Sequence, residues 1–326
     1  MTTNCTYYPE VTLLQISRFS LVWSLIYVAL LLLMFTPLGV LSASFLMVPI
    51  VVQSVKLRPG MFALVFAGNV TLTCLAAALL GWAGASFIAL LLSLFFLIPS
   101  VVMGMLYKRQ AAAHSVLLTG VVTILAQLLL LFLILYAFGF NVTTQLKQVL
   151  SGSMTMAESI MNMEMPKESI DTMIQLVTQT IPFYLILFSA YYVVVTHAIA
   201  RYALRKSGES IVGLKPIDTW RLPRSMVWYY LAALVISFFF TNDPDSMMAV
   251  LLLNLIPLLM LAFAVQAVSL LFFAGEVKGW NKKVLILVLV VFGLIVLLIP
   301  PLLQMIALIG VFDVAFPIRD RLRNSN

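Results

Sequence analysis

The side chains able to do chemistry in this chain are mostly neutral amides and hydroxyls embedded in apolar runs. Ser115, Thr119, Thr123 and Gln127 recur every fourth residue, which lays them along one slowly drifting face of a helix. That face is expected to point away from lipid. Asn69, Thr71 and Thr73 in an earlier run, Asn254, Gln266 and Ser269 in a later one, and Gln304 near the end are expected to join it in a polar interior. Such groups can hold a small ligand by hydrogen bonds, and they can equally bond helix to helix at ~0.6 kcal/mol per contact. Both uses stay open, and the candidate ligand-binding residues are Asn69, Thr119, Thr123, Gln127, Asn254 and Gln266.

The ionisable groups argue against an enzyme. No Asp, Glu, Lys or Arg stands at mid-depth in an apolar run, whereas proton-coupled pumps and voltage sensors place such groups inside the bilayer despite their cost. No His-Glu-x-x-His, Gly-x-Ser-x-Gly or paired intramembrane Asp occurs. His114 and His197 stand near run ends without Cys or acidic partners at ligand spacing, so interfacial hydrogen bonding is expected of each and no metal centre or cofactor is expected. Cys5 and Cys74 form neither a disulfide framework nor a metal spacing. Met154, Met156, Met161, Met163, Met165 and Met173 cluster between 139 and 178. Thioethers can bind Cu(I), but here they suit apolar contacts of an amphipathic helix that begins after Pro166 and runs on into the next span. One carboxylate, Asp313, sits at the edge of an apolar run, and pairing with Arg221 or Arg224 is expected, since an unpaired carboxylate there is costly.

These residues are carried by a chain that is almost all membrane domain. Of its 326 residues 63% are apolar and 10% charged, and the mean hydropathy is +1.11, against about 25% charged in soluble domains. About 20 apolar residues cross a hydrocarbon core of ~30 Å, and spanning segments without barrel patterning must be helices. Apolar runs at 19–36, 40–54, 61–80, 85–107, 115–138, 179–203, 225–240, 247–274, 284–299 and 302–316 predict an all-α polytopic bundle of about ten spans (8–10). The first run lacks a cleavage site and is expected to be retained. Pro49, Pro99 and Pro257 stand inside runs and predict kinks or breaks. The small-residue rows Ala63-Ala67-Thr71 and Ser100-Gly104 predict close helix contacts.

Charge orients the bundle. With the N-terminus inside, all of the 19 Lys and Arg except Lys147 and Lys167 fall on the cytoplasmic side, as the positive-inside rule requires. This arrangement predicts a hairpin at Pro300-Pro301 and both termini cytoplasmic. The net charge of +7 is spread over short juxtamembrane segments without an aromatic-basic platform, so anionic lipid headgroups are expected as partners and nucleic acid is not. The expected organisation is a six-span bundle over 1–203 with an amphipathic outer loop at 139–178, a basic cytoplasmic loop at 204–224, and a four-span bundle over 225–326 with a basic tail.

Trp220-Arg221-Leu222-Pro223, Val265-Gln266-Ala267, the basic turn from Lys278 to Lys283, and the stretch from Gly310 through Asp313 to Arg319 and Arg321 resemble the YybS-like family of bacterial integral membrane proteins of unknown function. The resemblance implies a bacterial cytoplasmic membrane and marks Trp220, Arg221, Pro223, Gly310, Asp313 and Arg319 as motif or structural residues. The first six runs, with Ser20 and Ser24 in the first, resemble substrate-binding subunits of energy-coupling-factor vitamin transporters. This implies a non-enzymatic protein that binds a small ligand or lipid within a transport system. With no phosphate-binding Gly-x-x-x-x-Gly-Lys-Ser/Thr motif in the chain, any ATPase would be a separate subunit. A membrane scaffold or regulator that recruits a protein partner through the basic loops is the alternative.

Overall fold

The computed structural model describes residues 13–140, 142–161, 167–240, 246–299 and 301–324. Among them the chain is helical, without a strand: α1 (Leu13–Leu33), α2 (Gly39–Ala43), α3 (Met47–Lys56), α4 (Pro59–Leu79), α5 (Ala83–Lys108), α6 (Ala113–Ala137), α7 (Val142–Met161), α8 (Lys167–Gln179), α9 (Ile181–Lys206), α10 (Ser225–Phe239), α11 (Met247–Val277), α12 (Lys282–Leu298), α13 (Pro301–Ala315) and α14 (Ile318–Asn324). Each apolar run of the sequence corresponds to helix. Six stretches are long and apolar enough to cross a membrane by length and composition, and Arg18–Leu33, Ser225–Phe239 and Pro301–Ala315 are shorter apolar helices.

Local chemistry sets the boundaries. Pro59 opens α4 after an extended Arg58, where its missing N–H has no bond to lose. Gly279, at φ +67°, closes α11 in a conformation that side chains resist, and Ser246 caps the same helix by accepting from the Ala249 N–H. The run at 40–54 is a broken span, interrupted between Ala43 and Met47. Pro49 supplies the reason, since a proline cannot bond to the carbonyl four residues earlier, here that of Phe45, and its ring crowds that group. Pro99 and Pro257 lie inside continuous helices. Residues 142–161, expected as loop, form α7, whose Leu146, Leu150 and Met154 recur at helical spacing. The amphipathic helix expected after Pro166 is α8, which ends at Gln179 immediately before α9. Cys5, Met163, Met165 and Pro166 lie outside the described residues.

The chain forms two compact units. Unit 1 comprises 1–134 and 186–213. Its centre is α3, buried from Met47 to Ser54 and packed by α1, α4 and α5. Gly104 on α5 has no room for a Cβ because Ser54 of α3 fills the space, so the Ser100-Gly104 row makes the close contact its composition predicts. The Ala63-Ala67-Thr71 row is instead exposed, and what α4 buries is Phe66, Asn69, Val70, Thr73 and Ala77. Helix α9 meets α5 through stacked Phe96 and Tyr192 rings, with centroids 5.0 Å apart.

Unit 2 comprises 135–185 and 214–326. Its axis is α11, which at 31 residues is about 46 Å long. Helix α13 runs against α11, and Gly310 abuts the Phe263 backbone so closely that a Cβ would overlap the carbonyl. Helix α12 is different: Leu285 is buried against Gly275 at its start, and nearly every described side chain beyond is exposed.

Candidate functional site

The expected polar face of α6 is not the one that packs. Ala113, Val116, Gly120 and Ile124 are buried, and Gly120 admits Val193 of α9. Thr119 is exposed and Thr123 donates to the Thr119 carbonyl of its own helix at 2.7 Å. Polarity does not choose the inner face here, because a small residue that lets two backbones approach is worth more in lipid than a hydroxyl that its own helix can satisfy. Gln127 alone reaches a neighbour, donating to the Phe95 carbonyl at 3.1 Å. Gln304 is also exposed.

Asn69 lies in a different cluster. Its amide donates to Gln53 Oε1 at 3.5 Å, Gln53 donates onward to Ser24 Oγ at 3.1 Å, and Thr73 donates to the Asn69 carbonyl at 2.9 Å. This chain ties α1, α3 and α4 together. Gln53, 2% exposed, is a lone amide in an apolar run, the same signal that marks Asn69. Near the other end of unit 1, Tyr107 and His197 Nδ1 are hydrogen-bonded at 2.7 Å. His197 is thus a buried bridge between α5 and α9, whereas His114 is exposed in the first turn of α6.

In unit 2 Asn254 is fully engaged: it donates to the Gln179 and Val250 carbonyls at 2.8 and 2.7 Å and accepts from the Phe183 N–H at 2.8 Å. It splices the α8–α9 junction, where Pro182 interrupts the pattern, onto α11. Gln266, Ser269, Trp220, Asp313 and Arg319 converge on one polar hub. Arg319 holds Asp313, with Nη2 2.7 Å from Oδ2, and the same carboxylate accepts from Gln266 Nε2. Gln266 Oε1 accepts from the Leu222 N–H at 2.9 Å, Ser269 donates to the Trp220 carbonyl at 2.9 Å, and Arg319 donates to the Asp218 carbonyl and to Ser269. The expected partners of Asp313 are thereby corrected. Arg221 and Arg224 are exposed, and the charge comes from Arg319, because the chain turns at Phe316-Pro317 and brings α14 back over the end of α13. Pro223 stands ahead of α10 and not in its first turn, with its carbonyl accepting from the Met226 N–H. A fully satisfied buried pair of this kind positions backbone. Here it fixes the 217–222 segment and α14 at one end of α11.

Two hollows adjoin the hub. An apolar groove of about 700 Å³ lies between α11, α12 and α13, lined by residues such as Val268, Leu271, Phe292, Gly293, Leu303 and Ile306. It exists because α12, pinned at Leu285, departs from α11, a feature no residue pattern announces. Beside it a polar cleft of about 420 Å³ is lined by Asp218, Thr219, Arg221, Phe273, Glu276, Val277, Arg319 and Arg323. The guanidiniums of Arg319 and Arg323 lie 5.3 and 5.9 Å from the Phe273 ring centroid. No motif or spacing in the sequence marks Phe273, Glu276, Gly293 or Arg323, which line these hollows.

A family model described as "Predicted membrane protein (DUF2232)" matches residues 22–314. The chain is 24% identical over 246 residues, 73% of its own length and 78% of the relative's, to "Uncharacterized protein YybS" of Bacillus subtilis (strain 168). No solved structure matches.

Proposed function

The chain belongs to the DUF2232 family of predicted membrane proteins, and on that premise we propose that it is a non-enzymatic, multi-pass protein that seats the hydrocarbon of a membrane amphiphile in the groove between α11, α12 and α13. The observation that carries this reading is the groove itself: about 700 Å³, within the usual range of ligand sites. The nominated polar residues support it from the other side. Asn69, Asn254 and Gln266 spend their amides on internal bonds, which leaves a hydrocarbon as the better fit than a polar solute.

In this reading the protein sits in a bacterial cytoplasmic membrane with both termini and the basic segments inside, where each cation near an anionic leaflet contributes about 1 kcal/mol of attraction. A place within a transport system is supported by the resemblance of the first six runs to transporter substrate-binding subunits. The second reading, a scaffold that recruits a protein partner, is favoured by Arg205, Lys206, Lys215 and Arg224, all exposed.

Gentle detergent extraction followed by native mass spectrometry tests the proposal. Gly293 lines the groove and a Cβ there meets nothing within 4 Å, so a side chain can start from this position, and Gly293→Trp is the variant chosen to fill the space. The wild type should carry an amphiphile and Gly293→Trp should not. A bare wild type, or a variant that keeps its amphiphile, sinks the proposal, and a protein partner without amphiphile shifts the reading to the scaffold.

A further inference from the structure

The wall between groove and cleft is one thickness of chain. Ile217 faces the groove and Asp218 the cleft; Trp220 and Arg221 divide in the same way, as do Leu322 and Arg323 on α14. An amphiphile with its chains in the groove therefore has the cleft within reach of its headgroup.

The charges of the cleft select among headgroups. Arg319 is neutralised by Asp313, which leaves Arg221 and Arg323 facing Asp218 and Glu276. Among the described residues the ion pairs are Lys56 with Glu209 and Arg319 with Asp313, so no ion pair joins either of these arginines to either carboxylate. Two charges of each sign, which sum to zero, give little attraction to an anion, whose approach the carboxylates oppose. They complement a ligand that carries both signs. A guanidinium fork matches the two free oxygens of a phosphodiester, and a primary ammonium offers three donors to carboxylates.

We infer that the cleft takes the headgroup of a zwitterionic aminophospholipid, with its phosphodiester against Arg221 and Arg323 and its primary ammonium against Asp218 and Glu276, while the acyl chains occupy the groove. This inference rests on the reading of the groove as a hydrocarbon site.

The test is native mass spectrometry of the full chain in detergent, titrated with dioleoyl phosphatidylethanolamine, phosphatidylcholine and phosphatidylglycerol. These lipids share chains and differ in the headgroup: a primary ammonium, a quaternary ammonium without N–H donors, or no cation. Phosphatidylethanolamine should be retained about tenfold over each of the others. Asp218→Asn with Glu276→Gln should abolish its advantage over phosphatidylglycerol while chain binding persists, and Arg221→Gln with Arg323→Gln should weaken both. Should the double carboxylate variant fail to fold, Glu276→Gln alone, at an exposed position, decides. Equal retention of the three lipids, a preference for phosphatidylglycerol, or a phosphatidylethanolamine preference that survives loss of the carboxylates overturns the inference and leaves the groove reading standing. Retention of none overturns both.

Discussion

Arg319 grips Asp313 across the turn at Pro317: Nη2 lies 2.7 Å from Oδ2, and Nε lies 3.1 Å from both carboxylate oxygens. Only 4% of Arg319 and 8% of Asp313 is exposed. Removing one partner of such a pair leaves the other charge buried, at a cost of about 3–5 kcal/mol, whereas apolar replacement of both is often near neutral. Asp313→Asn and Arg319→Gln should each lower the detergent melting temperature strongly, and Asp313→Leu with Arg319→Met should recover much of the loss. Unchanged melting in either single variant would show that the pair does not hold α14.

Gly310 has the Phe263 carbonyl where a Cβ would stand. Gly310→Ala therefore forces α13 away from α11, at about 1–3 kcal/mol by the usual penalty for overpacking. Gly293→Ala meets open space and should melt like wild type. Equal melting of the two alanine variants contradicts the close approach.

Asn254 holds the α8–α9 junction through the Gln179 carbonyl and the Phe183 N–H. Asn254→Leu removes the acceptor of the Phe183 N–H, at about 1–3 kcal/mol, and should speed amide exchange at Phe183. Thr119→Ala, at an exposed site, should change stability by no more than about 0.5 kcal/mol. If Thr119→Ala proves the more damaging, the assigned inner face of α6 is wrong.

Lys56 meets Glu209 at 2.8 Å with both side chains part-exposed, and its ammonium also donates to the Ser207 carbonyl at 3.0 Å. Such pairs contribute roughly 0–1 kcal/mol and weaken with salt. Glu209→Gln should therefore cost little, and raising the salt concentration should remove most of the difference in melting temperature from wild type.

What the sequence made legible was whatever local chemistry decides. Pro301 opens α13 at the expected Pro300-Pro301 hairpin and Pro49 accounts for the break ahead of Met47, because a missing donor acts on its own neighbours. The facing of α6 was not legible, because Gly120 and its fit to Val193 outweigh a regular row of hydroxyls. Arg319, Gln266 and Trp220 were each marked by motif, yet their meeting depends on the turn at Pro317, and Arg221 and Arg224 were equally plausible partners for Asp313 by charge alone. The groove was hidden for a further reason: it is the space left by α12 beyond Leu285, and empty space carries no residue signature.

The most direct measurement on the central claim is photo-crosslinking of the detergent-solubilised protein with a lipid bearing a diazirine in its acyl chain, supplied at equimolar amount, with adducts mapped by mass spectrometry. Adducts concentrated at Leu271, Phe292, Leu303 and Ile306 of the groove, and lost in Gly293→Trp, are the predicted result. Adducts spread evenly over exposed apolar positions such as Leu64, Leu118 and Leu133, with no effect of Gly293→Trp, would contradict it.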